Sequence, residues 1–191
     1  MPELKGTKTE QNLLKSFAGE SQARNRYTFF AEMALEEGYE QIAEIFEETA
    51  YNEKVHADIF FSFLEGGDLE ITATYPAGKV GSTEDNLKEE AIAEQEEWTL
   101  LYPEFARIAE EEGFPKIAVA WKMISKVEKE HEERYSALLK SVEEEKVFAK
   151  DAPVEWKCRE CGYVHTGAKA PGKCPVCFVE QSAFEVRAKN Y

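Results

Sequence analysis

Three histidines occur in this chain, and two of them close the same short motif: Glu53-Lys54-Val55-His56 and Glu128-Lys129-Glu130-His131. Residues three apart on a helix share a face. Here that face is apolar, shared with Ile42, Phe46 and Phe60 in the first segment and with Ile117, Trp121 and Tyr135 in the second. Glu94-Gln95-Glu96-Glu97 offers two acids at the same spacing, and Glu20 lies between Phe17 and Ala23/Arg24 on the inner stripe of another segment. A lone Glu-x-x-His on an acid-rich helix reads as a surface ion pair; two of them on apolar stripes do not. Buried carboxylates need compensating charge, and Arg24 with Arg26 cannot balance Glu20, Glu53, Glu94, Glu97 and Glu128. Metal ions can. One Glu from each of two helices plus Glu-x-x-His from each of two more is the donor set of di-iron and di-manganese carboxylate bundles. Mixed imidazole and carboxylate ligands suit iron or manganese better than magnesium or calcium.

A second constellation closes the chain. Cys158-Arg159-Glu160-Cys161 and Cys174-Pro175-Val176-Cys177 are two Cys-x-x-Cys turns, and no other cysteine is present. Four thiolates make a tetrahedral sulfur set for zinc or iron, and the spacing leaves both metals open. His165 is not needed, because four sulfurs complete the shell.

The elements that must hold these residues are helices. The apolar spacing predicts one over 7–36, opened by Thr7 and Glu10 at capping-box spacing, with Leu13, Phe17, Glu20, Arg24, Tyr27 and Ala31 on its inner face. A second is expected over 40–64. A Gly- and Pro-containing connection over 66–82 follows. A third helix runs to Glu111, with Leu87, Ala91, Glu94, Trp98, Leu101, Phe105 and Ile108 inward. A fourth spans 115–144, with Pro115 at its start. Two hairpins joined by one long crossover is the ferritin-like connectivity of a four-helix bundle. The pattern changes after Phe148, with Asp151-Ala152-Pro153 as the expected junction. The division is therefore 1–148, a mainly α bundle, and 149–191, a small β and metal-knuckle module.

An internal repeat supports the hairpins. A shift of 75 residues carries Gly38, Ile42, Ala43, Glu53, His56 and Leu64 onto Gly113, Ile117, Ala118, Glu128, His131 and Leu139, and Tyr27 onto Tyr102. The repeat breaks in one place. Glu20 precedes Tyr27 by seven residues, but Glu94 precedes Tyr102 by eight. A regular helix would set Glu94 and Tyr102 about 80° apart. A π-bulge absorbing one extra residue would return both to the inner face, and Pro103, which lacks an N–H, favours irregularity there. The insertion leaves both Glu94 and Glu97 eligible, so Glu97 and His56 compete for one coordination position. Tyr27 and Tyr102 are candidate donors to the carboxylate ligands.

Bulk composition excludes other roles. The 191 residues carry a net charge of −15, which repels nucleic acid and acidic lipid. No apolar run reaches membrane length. Met1 to Glu10 has no signal-peptide core, so a reducing cytoplasm is expected, where metal ligation is favoured over disulfides.

Along essentially its whole length the chain resembles the rubrerythrin family. The resemblance is carried by Phe17-Ala18-Gly19-Glu20-Ser21-Gln22-Ala23-Arg24, both Glu-x-x-His motifs, Glu94-x-x-Glu97, Cys158-x-x-Cys161-Gly162-Tyr163 and Cys174-Pro175-x-Cys177. It implies a ferritin-like di-iron bundle with a rubredoxin-like tail, reducing hydrogen peroxide to water. Glu53 and Glu128 would bridge two irons, with Glu20, Glu94 and His131 as terminal ligands. Glu97 would bind in the oxidised state, with His56 replacing it on reduction. Cys158, Cys161, Cys174 and Cys177 would hold one iron as an electron relay, fed by rubredoxin or an NAD(P)H-linked reductase. A head-to-tail homodimer or larger homo-oligomer is implied. Phe178 departs from free-standing rubredoxin, which has glycine at that place. The alternative is a ferritin-like ferroxidase or iron-binding protein.

Overall fold

The computed structural model describes residues 2–191. Helices α1 (Lys8–Glu36) and α2 (Glu40–Ser62) form the first hairpin. The second pairs a rod made of α3 (Thr83–Glu96), a π-helical turn (Glu97–Leu101) and α4 (Tyr102–Glu111) with α5 (Pro115–Glu143). The hairpins end alike. Gly38 and Gly113 adopt φ +82° and +86°, the left-handed conformation that glycine reaches without a Cβ clash. The next N–H groups, of Tyr39 and Phe114, return to Ala34 and Ala109 carbonyls at 2.8 and 2.7 Å. The 75-residue repeat is thus also a backbone repeat.

Thr7 caps α1, its hydroxyl accepting from the Glu10 N–H at 3.1 Å, while the Glu10 carboxylate accepts from the Gly6 N–H at 2.7 Å rather than from Thr7. Glu112 adds a tertiary cap, accepting from the Lys8 and Thr9 N–H groups and the Thr9 hydroxyl at 3.1, 2.8 and 2.6 Å. Burial disfavours its charge, but these donors hold its carboxyl below the usual range. Its contribution is therefore present at neutral pH and lost as pH falls through that lowered value. Glu112→Ala is expected to cost about 1 kcal/mol, read from a urea midpoint at pH 7.

Two apolar clusters fill the bundle, one around Tyr27, Phe30, Phe46 and Tyr135, the other around Leu13, Phe60, Tyr102 and Trp121. Glu20, Glu53, His56, Glu94, Glu128 and His131, all buried, fall between them along the rods. Each fully buried large apolar side chain contributes about 1.5–3 kcal/mol, which offsets the cost of that polar band. Two residues expected to face inward do not. Arg24 is exposed, one position beyond the buried Ala23, and bonds only Asn25. Leu101 is 41% exposed, because the extra residue of the π turn rotates it outward.

Strand β1 (Ala149–Cys158) is central in an antiparallel sheet, between β2 (Val164–Lys169) and β3 (Phe184–Val186). The expected junction at Asp151-Ala152-Pro153 lies inside β1, where the register shifts between Ala149 and Val154; a bulge is where a strand tolerates proline. This module rests on the start of α2. Ser182 donates to Glu40 at 2.8 Å, Arg159 pairs with Glu44, and Phe148 stacks on Tyr39 at 6.1 Å. No helix among the described residues is long and apolar enough to cross a membrane.

Candidate metal centres

The π turn solves the broken repeat. The Tyr102 N–H bonds the Glu97 carbonyl, five residues back, and Ser125 donates to the Trp98 carbonyl at 3.2 Å, a group that Pro103 cannot serve. Glu94 and Tyr102 both end up buried, at 2% and 1% exposure. The two tyrosines then bond across the hairpins. Tyr27 of α1 donates to Glu94 of α3 at 2.5 Å, and Tyr102 of α4 donates to Glu20 of α1.

Two four-residue sets gather in the polar band, Glu20/Glu53/His56/Glu128 and Glu53/Glu94/Glu128/His131, each with its donor atoms within 4.8 Å of one another. Glu53 and Glu128 belong to both. Glu97 belongs to neither, while His56 points its Nδ1 into the first set, 2.8 Å from Glu53 and 3.0 Å from Glu128. In the second set His131 Nδ1 lies 2.8 Å from Glu128 and 3.1 Å from Glu53. Among the described residues Glu53 Oε1, both Glu128 oxygens and His131 Nδ1 are buried with no well-aligned hydrogen bond. Donor atoms crowded together at such distances without good hydrogen-bond geometry fit metal ions. Arg26 is no substitute, being paired with Glu89 and Glu90.

The electrostatics agree. Burial, then Glu53 and Glu128, hold the Glu20 carboxyl well above its usual range. Burial, then Glu94 and Glu128, do the same to Glu97. Burial pushes Glu94 up to about 7, against the pull of His131. Glu53 is held at about 2 despite burial, by the adjacent His131 and His56 rings. Burial opposes charge on both rings, but Glu128 and Glu53 outweigh it and raise His56 to about 10 and His131 to about 12. Five buried acids repel one another around two imidazoles, and two bound metal ions would relieve that repulsion. Burial foremost, then Glu94 beside Tyr27 and Glu20 beside Tyr102, keep both phenols protonated as donors.

In the tail, Cys158 and Cys177 sulfurs are 3.7 Å apart and those of Cys161 and Cys174 3.6 Å. A disulfide is far shorter. A tetrahedron with metal–sulfur bonds of about 2.3 Å has edges of about 3.8 Å, so the four thiols fit one ion. Burial opposes the Cys174 thiolate, but backbone N–H groups of Cys177 and Val176 bring it down to about 6. Each knuckle closes on a left-handed residue, Gly162 at φ +78° and Phe178 at +67°. For Phe178 that conformation costs roughly 1–2 kcal/mol, and its ring is 68% exposed. Phe178→Gly is therefore expected to stabilise the module by about 0.5–1 kcal/mol, net of glycine's own entropy, seen as slower bleaching of thiolate–metal absorption in guanidinium.

Tyr135 lies beside the site and reads from sequence as plain core. Its hydroxyl is buried without a partner, and its ring meets Tyr27 edge-on at 5.7 Å. Its repeat mate Phe60 packs on Tyr102 at 5.6 Å. The signal was positional: both lie four residues after a motif histidine.

Fold and side chains together define a ferritin-like bundle with a carboxylate–histidine di-iron site, joined to a rubredoxin-like four-cysteine iron site. The rubrerythrin family model matches residues 11–139, and a model described as rubrerythrin, rubredoxin-like domain, matches 156–185. The chain belongs to the rubrerythrin family. It is 60% identical to the rubrerythrin of Porphyromonas gingivalis over 98% of this chain and 94% of that one. It is 55% identical to rubrerythrin-1 of Clostridium acetobutylicum over the full length of both. A solved structure of fully reduced, all-ferrous nigerythrin superposes with TM-score 0.64 at 34% identity, covering 97% of this chain and 92% of that one.

Proposed function

We propose that the chain is a non-haem di-iron peroxidase that reduces hydrogen peroxide to water in defence against oxidative stress. Its electrons would come through the four-cysteine iron from rubredoxin or an NAD(P)H-linked reductase. When bound, the iron pair supplies two electrons and Lewis acidity at the departing oxygens. The chain does the rest. Glu53 and Glu128 would be shared between the two irons, Glu20, Glu94 and His131 would each hold one, and Tyr102 and Tyr27 fix the Glu20 and Glu94 carboxylates by hydrogen bonds.

The observation that carries the reading is Glu97. It stands outside both donor sets while His56 stands inside one, so one position has two candidate donors and can exchange them with oxidation state. An iron store needs neither that spare carboxylate nor a four-cysteine relay. Glu97→Ala is expected to keep iron binding in the reduced state but to lower peroxide turnover about tenfold or more, measured by iron content and stopped-flow reoxidation.

The same proposal divides the chain at 148/149 and places it in the cytoplasm. It also pairs one copy's tail with a second copy's bundle. Residues 149–191 carry seven Lys/Arg against five Asp/Glu, so nearly all the negative charge sits on the bundle, and opposite charge favours that contact. Anaerobic mixing of the reduced holoprotein with hydrogen peroxide tests the reading. One equivalent should reoxidise the bundle site, with continued NADH consumption once a reductase is present. Excess ferrous uptake and oxidation by dioxygen, without peroxide discharge, would instead mark a ferroxidase.

A further inference from the structure

We propose that a cleft beside the bundle site binds the organic part of alkyl and aryl hydroperoxides, so that these are reduced as well as hydrogen peroxide. The inference rests on the peroxidase reading. A cavity of about 520 Å³ opens between α1, the π turn and the crossover. Glu94, Glu97 and Tyr102 are among its lining residues. Ala23, Leu100, Leu101, Phe105 and Tyr75 give it most of its apolar surface, with Lys15, Arg26, Glu96 and Glu104 also on the lining.

Size is the argument. Hydrogen peroxide is little larger than water, whose share of liquid volume is about 30 Å³. The cleft is more than ten times that, within the roughly 300–1,000 Å³ of pockets that take organic ligands. Its wall is also fixed. The Tyr75 hydroxyl donates to the Lys15 carbonyl at 2.8 Å, and its ring packs beside Gly19. A segment held like this shapes a binding surface. The polar –OOH end would face Glu97 and Tyr102, and the hydrocarbon would lie under Tyr75 against Leu101.

The chemistry balances. The hydroperoxide ROOH takes two electrons from the ferrous pair and two protons; the O–O bond breaks, and ROH and water leave. The tail restores the electrons as it does for hydrogen peroxide.

Turnover of hydrogen peroxide, tert-butyl hydroperoxide and cumene hydroperoxide by the holoprotein with a reductase tests this, alongside saturation-transfer NMR of 2-phenyl-2-propanol on the oxidised holoprotein. Cumene hydroperoxide is expected to be reduced with a KM at least about fourfold below that of the tert-butyl compound, since each extra buried methylene is worth about that factor. The alcohol should bind saturably. Leu101→Trp, at a surface position that spares the core, should weaken alcohol binding and lower the cumene-to-hydrogen-peroxide ratio of kcat/KM about tenfold, with iron content reporting the fold. Hydrogen peroxide turnover without cumene hydroperoxide turnover overturns the proposal. So does cumene turnover indifferent to Leu101→Trp. If neither peroxide is reduced, the peroxidase reading fails, and absence of alcohol binding then overturns the cleft as well.

Discussion

Cys161→Ser is expected to stop sustained peroxide turnover while leaving one discharge of the pre-reduced bundle. Cys158 and Cys174 are buried, but Cys161 is exposed, so its thiolate is the ligand nearest to an external donor. Serine puts a hard oxygen where soft sulfur is favoured, and its hydroxyl is not ionised near neutral pH. The remaining three thiols cannot complete the four-sulfur set, in which Cys161 lies 3.6 Å from Cys174 and Cys158 3.7 Å from Cys177. Within one chain the tail touches the bundle through Ser182, Arg159 and Phe148, at the start of α2, away from the buried donors. From Glu44 to Glu53 the helix rises about 13 Å, so the bundle ligands lie well beyond that contact. NADH-driven turnover should fall about 100-fold. Stopped-flow reoxidation of the dithionite-reduced variant by one equivalent of peroxide should match the parent. Full steady turnover in the variant would remove the relay role.

Much of this was legible in sequence because a duplicated hairpin writes its constraints twice. Gly38 and Gly113 mark the same left-handed turn, and Glu53/His56 and Glu128/His131 the same buried face. The one-residue break between Glu94 and Tyr102 foretold the π turn at Glu97–Leu101. What periodicity missed followed from that turn or from contacts far apart in sequence. Counting through a regular helix puts Leu101 inward, and the π turn invalidates that count. Arg24 shares a wide helical stripe with Ala23, and only packing decides which of the two is buried. Glu112 capping α1, Tyr75 bonding Lys15, and Arg159 meeting Glu44 join residues at least 60 apart, and no local pattern encodes them. Pro153 read as a linker because a bulge and a junction draw on the same residues.

Glu128→Ala should remove both bundle metals at once, where Glu20→Ala should weaken only one. Glu20 belongs to a single donor set; Glu128 belongs to both, is fully buried, and has two oxygens without hydrogen-bond partners. Each oxygen faces a different imidazole, His56 at 3.0 Å and His131 at 2.8 Å. Deleting the carboxylate therefore removes a donor from both sets and strands two buried rings. Removing one partner of a buried charged set typically costs about 3–5 kcal/mol, and the stabilisation that bound metal adds to the folded state is lost too. Iron analysis should fall to the single tail iron, with the thiolate bands intact and peroxide discharge absent. Glu128→Gln separates charge from packing: it keeps the side-chain volume, and if charge is what matters it should lose the metals as well. Glu133→Ala, five residues on and paired at the surface with Lys129, should retain all the iron. A Glu128→Ala protein that kept two irons in the bundle would mean that the bridging pair is not Glu53 and Glu128. The near-symmetry of the site would then need another origin than the duplicated hairpin.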